Sequence, residues 1–151
     1  MRNNSKEHIM GNKISVNIKN SNIGFEDMKY SIDKKYIIIT TLTTQDTTTN
    51  LIKNTITPNE EENIINKMID AYETSKHVVI YGKNSCDSSV YSKYNELKNF
   101  GFTNIFIYNG GIFEWMLLQD IYGFDNFPTT ISDIDILKFK QPSFFETKLL
   151  N

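Results

Sequence analysis

The sequence predicts an α/β fold of three layers, with a central, mostly parallel sheet of about five strands and helices on both faces. Three observations carry this. Near-continuous runs of β-branched and aromatic residues recur at Tyr36–Leu42, His77–Tyr81 and Asn104–Tyr108, and unbroken apolar runs of that length mark strands buried on both faces. The segments between them place apolar residues at helical spacing. The connections are short, as repeated strand–helix units require.

Taken in order, residues 1–13 are polar and read as a flexible arm. Phe25, Met28 and Ile32 follow the 3,4 spacing of a short helix, which Asp33-Lys34-Lys35 ends. The strand Tyr36–Leu42 leads into a threonine-rich loop, Thr43–Asn50, and a short extended piece, Leu51–Ile56, closed by Thr57-Pro58. Glu60, Glu61 and Glu62 stand where a helix N-terminus favours acidic side chains. Ile64, Ile65, Met68, Ile69 and Tyr72 then give one helical face. After the strand His77–Tyr81, Asp87 and Ser88 are candidate caps for a helix running to about Phe100, with Val90, Tyr94 and Leu97 inward. Gly101 is placed to end it. The strand Asn104–Tyr108 turns at Asn109-Gly110-Gly111 into a helix from Ile112 to about Tyr122, anchored by Trp115. Ile131–Phe139 is expected to be a further short helix, and the chain beyond Gln141-Pro142 to be loosely ordered. The expected organisation is therefore an arm (1–13), one domain (14–140) and a tail (141–151).

A chain of 151 residues, 39% of them hydrophobic, suits one domain with a sizeable core and is too apolar for a disordered segment. Its net charge is −2, and its one arginine, Arg2, lies in the arm. No basic patch is available for nucleic acid. No apolar run approaches the roughly 20 residues of a membrane span, and the polar stretch Met1–His8 gives no reason to expect a secretory signal. Cys86 is the single cysteine, which rules out an internal disulfide and fits a reducing, cytoplasmic setting. With two separated histidines, His8 and His77, there is no zinc pattern, and no metal or cofactor is expected. Glycine-rich phosphate fingerprints are absent. Met10-Gly11-Asn12-Lys13-Ile14-Ser15 matches a myristoylation pattern, which would act only if translation began at Met10.

In an open parallel sheet the reactive site lies outside the carboxyl ends of the strands, which directs attention to the loops Gly82–Ser89 and Thr43–Asn50. The stretch His77–Trp115 combines a buried strand ending in Tyr81, the loop Gly82–Ser89, a helix closing on Gly101-Phe102, and a strand leading to Gly110-Gly111-Ile112-Phe113-Glu114-Trp115. In this it resembles the second half of a rhodanese-like domain. The likeness extends more weakly back to Phe25 and covers roughly residues 25–122. It implies the three-layer rhodanese-like fold and a sulfurtransferase-type scaffold.

In that family a cysteine directly after the strand accepts a sulfane sulfur, and loop N–H groups with a helix N-terminus stabilise the anion. Here Gly82 holds that place, and Cys86 comes four positions later. The family's Asp-x-Arg and Gly-His-x-Pro-Gly-Ala motifs are replaced by Thr40-Thr41-Leu42 and Lys53-Asn54-Thr55. The resemblance makes Cys86 the candidate sulfur-carrying nucleophile and Gly82, Lys83, Asn84, Ser85, Asp87 and Ser88 the candidate anion-binding loop. Each also has a plainer reading: Cys86 as an exposed loop thiol, Lys83 as a solvated charge, Asp87 and Ser88 as caps. The expected function is a rhodanese-like module of doubtful catalytic competence that binds an anion or a protein partner. The alternative is an active sulfurtransferase using thiosulfate or a persulfide donor through Cys86. A dual-specificity-like phosphatase is disfavoured, because the position for its phosphate-clamping arginine is Ser92.

Overall fold

A computed structural model describes residues 21–43 and 50–145. The arm with its Met10-Gly11 pattern, residues 44–49 of the threonine-rich loop, and residues 146–151 lie outside the described residues. Strands and helices alternate as β1 (Asn22–Ile23), α1 (Phe25–Asp33), β2 (Ile37–Thr40), α2 (Pro58–Asp70), β3 (Val78–Tyr81), α3 (Ser89–Asn99), β4 (Ile105–Tyr108) and α4 (Gly111–Tyr122). The sheet order is β1-β4-β3-β2, with every pair parallel.

The register explains the layering. Ile38 pairs with Val79 and Val79 with Phe106, while Ile39 pairs with Ile80 and Ile80 with Ile107. Side chains alternate across a strand, so Ile38, Val79, Tyr81 and Tyr108 face one side, where Met28 and Ile32 of α1 and Ile112, Trp115 and Met116 of α4 cover them. Ile39, Val78, Ile80, Ile105 and Ile107 face the other, against Ile65 and Met68 of α2 and Val90, Tyr94 and Leu97 of α3. Both faces are covered by helices, as the continuous apolar runs require. Trp115 is fully buried, packs edge-on to Tyr108 and Phe127, and donates its indole N–H to Pro128 O at 3.2 Å.

Two expectations are corrected. The sheet has four strands among the described residues rather than about five. The segment Leu51–Ile56 meets β2 at a single parallel bridge, Ile38 with Thr55, because the chain turns through Asn54 at φ 68. Its remaining bonds go elsewhere: Lys53 N–H to Pro128 O at 3.1 Å, and Ile52 bridged antiparallel to Thr129. The helix expected over Ile131–Phe139 is instead a run of bends and turns. Asp133 Oδ1 takes the Asp135 N–H at 3.0 Å, the local side-chain competition by which Asp disfavours helix. The later bonds, Lys138 N–H to Asp135 O and Lys140 N–H to Leu137 O, span three residues rather than four.

Candidate functional site

The loop between β3 and α3 starts from a fixed point. The Tyr81 ring is fully buried, and its hydroxyl accepts the Ile52 N–H at 3.1 Å and lies 2.8 Å from Thr55 Oγ1. Burial pushes its pKa up to about 12, so it stays a neutral strut tying the strand end to the 51–56 segment.

Beyond Tyr81 the backbone passes through Gly82 directly against Gly111. The Gly82 carbonyl accepts the Ile112 N–H at 3.0 Å and the Lys83 carbonyl accepts the Phe113 N–H at 2.9 Å. Gly111 has φ 67, and a methyl group placed on it would stand 2.7 Å from Gly82 O and 2.9 Å from Asn84 N. Only glycine fits there. This is the physical content of the Gly-Gly turn: the free amides at the start of α4 are spent on holding the loop's carbonyls.

The inner side of the loop is occupied by Asp87. Its Oδ2 accepts the Lys83 N–H at 2.9 Å, and its Oδ1 accepts the Ser89 N–H at 3.1 Å and the Ser89 hydroxyl at 2.6 Å. Ser89 Oγ is also 2.7 Å from Thr41 Oγ1 at the end of β2. The expected capping is thus done by Asp87, while Ser88 at the N-cap position makes no side-chain cap bond. Partial burial raises the Asp87 pKa, but the hydrogen bonds from Ser89 and Lys83, with the Lys83 charge, outweigh it, and the pKa lies below the ordinary carboxylate value. A methyl group on Gly82 would stand 2.5 Å from Asp87 Oδ2 and 3.0 Å from Thr41 Oγ1. The space for a side chain at Gly82 is held by the Asp87 carboxylate.

Asn84, buried at 7% exposure, organises the outer part. Its Oδ1 accepts the Cys86 N–H at 2.9 Å, its carbonyl accepts the Asp87 N–H at 3.2 Å, and its Nδ2 donates to Phe139 O at 2.9 Å. Ser85 is exposed, and its hydroxyl accepts from Gln141 Nε2 at 2.6 Å. Cys86 is exposed at the tip, as are Lys83 and Ser88. The amides of Lys83, Cys86, Asp87 and Ser89 therefore all have acceptors within the loop. Beside it, a cleft of about 470 Å³ over the end of β2 is lined by Thr41, Ser89, Lys93, Glu61 and others. Lys93 is no free cation there, since Glu61 and Glu96 hold it at 2.9 and 3.1 Å.

Of the residues singled out in the sequence, the structure thus brings Gly82, the Lys83 amide and the half-buried Asp87 together, holds Asn84 and Ser85 against the C-terminal segment, and leaves the Lys83 side chain, Cys86 and Ser88 exposed. Thr41, Ser89, Gly111, Phe139 and Gln141 complete the site without having been singled out for it. Gly111 was legible as part of the Gly-Gly turn, and Ser89 had a local signal, because an Asp side chain commonly binds the amide two residues on.

A family model for the rhodanese-like domain matches residues 5–118. No curated protein matches the chain. Among solved structures, the Alr3790 protein from Anabaena sp. is similar at 17% identity and TM-score 0.51, covering 77% of this chain and 97% of its own. The Rhodanese_3 like domain of that Alr3790 protein is similar at 21% identity and TM-score 0.44, covering 64% of this chain and 99% of its own. Identities this low bear on architecture alone, and the first likeness agrees with the parallel three-layer arrangement.

Proposed function

The chain belongs to the rhodanese-like domain family, and from that premise we propose that it is a catalytically silent member, a sulfurtransferase-type scaffold retained as a protein-binding module. The observation that carries the reading is the Asp87 carboxylate beside Gly82. A rhodanese-type reaction needs a thiolate held by N–H donors. Here the position after the strand has no side chain, and the neighbouring donors are committed to a carboxylate of the chain itself. A second anion brought to Lys83 N–H and Ser89 would meet that negative charge at contact distance, a repulsion expensive in a partly buried site. This also weighs against a small-anion-binding role and leaves the protein-binding one. We take residues 14–140 as the functional unit, between an arm (1–13) and a tail (141–151) whose first residue, Gln141, bonds Ser85, and we take its setting as reducing and cytoplasmic, which suits an exposed single cysteine.

The alternative, Cys86 as a persulfide carrier for thiosulfate or a related donor, is favoured by one observation: the thiol is free and exposed in the loop. Thiosulfate:cyanide sulfurtransfer by the wild type beside Cys86→Ser separates the two. No turnover in either protein is expected. Turnover in the wild type that disappears in Cys86→Ser would overturn the silent reading.

A further inference from the structure

The segment after α4 lies beyond the residues that match the family model, and it returns to the loop. Its first part is sewn down firmly. Phe127 is buried against Trp115, with ring centroids 5.0 Å apart. Thr130 N–H bonds Leu51 O at 2.8 Å, Leu51 N–H bonds Thr130 Oγ1 at 3.0 Å, and Ile131 N–H bonds Asn50 Oδ1 at 3.1 Å. The middle is loose in character: Ile134 is 96% exposed and Leu137 52%. The far end then makes contact again. Phe139 packs half-buried on the cluster that contains Ile112 and Trp115, its carbonyl accepts from Asn84 Nδ2, and Gln141 donates to Ser85.

We propose that residues 132–141 form a hinged strap whose far end, Phe139 and Gln141, latches the Gly82–Ser89 loop shut and opens without unfolding the domain. The asymmetry of the anchoring carries this. The near end is a backbone seam with a buried aromatic ring, whereas Phe139 and Gln141 at the far end hold the loop, among the described residues, by one half-buried ring and two side-chain hydrogen bonds. Local opening follows such differences in buried contact and bonding. The latch also falls on the residue that matters most for loop shape. Asn84 uses one side-chain atom for the strap and the other for the Cys86 amide, so the strap's position is transmitted directly to the loop tip. Any ligand that captures the strap away from Asn84 and Ser85 shifts the loop towards its open form, in proportion to its preference for the released strap. The inference is independent of whether Cys86 carries sulfur.

Amide hydrogen exchange of the full chain tests it, comparing wild type, Gln141→Ala, and Phe139→Ala with Gln141→Ala. The probes are the loop amides of Cys86 and Asp87 and the seam amides of Lys53 and Thr130. The double variant is expected to exchange at Cys86 and Asp87 roughly tenfold faster or more, the factor for about one lost hydrogen bond, with seam amides unchanged. Gln141→Ala, at an exposed position, should show a smaller change in the same direction. Unchanged loop amides in both variants would overturn the latch. So would equal acceleration of loop and seam, which would make the segment part of one cooperative unit.

Discussion

Adding one methyl group at Gly82 tests the pairing between this glycine and Asp87. In Gly82→Ala the new carbon would stand 2.5 Å from Asp87 Oδ2, 2.9 Å from its Cγ and 3.0 Å from Thr41 Oγ1. Gly82 is not among the residues with positive φ, so the backbone accepts alanine and the cost is contact alone. The carboxylate is not free to swing away, because it holds Lys83 N–H, Ser89 N–H and the Ser89 hydroxyl. Tolerating the overlap costs about 1–3 kcal/mol as overpacking. Displacing Asp87 costs about the same, through donors left without acceptors. Either route predicts that Gly82→Ala destabilises the domain by about 2 kcal/mol. In an Asp87→Ala background the carboxylate contacts are gone and only the Thr41 hydroxyl, at 3.0 Å, has to give by a few tenths of an ångström, so Gly82→Ala should be close to neutral, the stiffer unfolded chain offsetting that contact by about 0.5 kcal/mol. The coupling would then be about 2 kcal/mol or more, well above the additivity error of about 0.5 kcal/mol. Urea unfolding of the four proteins measures it. Additive costs would refute the claim that the carboxylate fills the side-chain space at Gly82.

Three further outcomes follow from the same geometry. Gly111→Ala combines a φ of 67 with approach to Gly82 O and Asn84 N, backbone atoms that cannot yield. It should cost about 3–4 kcal/mol or prevent folding, and an unchanged thermal midpoint would contradict the close packing of loop on α4. The Asp87 pKa is lowered in the folded chain, so its contribution to stability is present above the unfolded carboxyl pKa of about 3.9 and is lost as pH falls through the lower folded value. The stability gap between wild type and Asp87→Asn should accordingly narrow as pH drops below about 4, as followed by denaturant midpoints across an acid series. A gap independent of pH would mean that the charge of Asp87 contributes nothing. Finally, in a Cys86→Ser background, the Gly82→Cys thiolate with Asp87→Ser should take the sulfane sulfur of thiosulfate and release sulfite, leaving a persulfide detectable by mass, while Gly82→Cys alone should not. Equal labelling of both would show that the carboxylate is no obstacle to an anion.

The fold was legible because its signals are local. Val78–Tyr81 and Ile105–Tyr108 carry strand identity in their own side chains, and Gly110-Gly111 with Trp115 announces a turn into a buried helix. What patterning misses are partners brought together by topology: Thr41 with Ser89, or Asn84 with Phe139, residues 55 positions apart in hydrogen-bond contact. The Leu51–Ile56 segment, read as a short extended piece, adds only isolated bridges and no strand to the sheet for a related reason. Its composition suits extension, but Asn54 turns it, and Pro128 and Thr129 claim its bonds. At the site the sequence exposed the absence of a cysteine after Tyr81 but not its physical counterpart. A side chain at Gly82 and a carboxylate at Asp87 compete for one volume and for the same donors. Loss of the first and presence of the second are therefore a single structural condition, and reversing either alone leaves a clash or an unfilled set of N–H groups. On the silent reading proposed above, a thiol that works from position 82 needs both changes together, which is why a displaced cysteine at position 86 is a weaker argument for activity than the aspartate beside it is against.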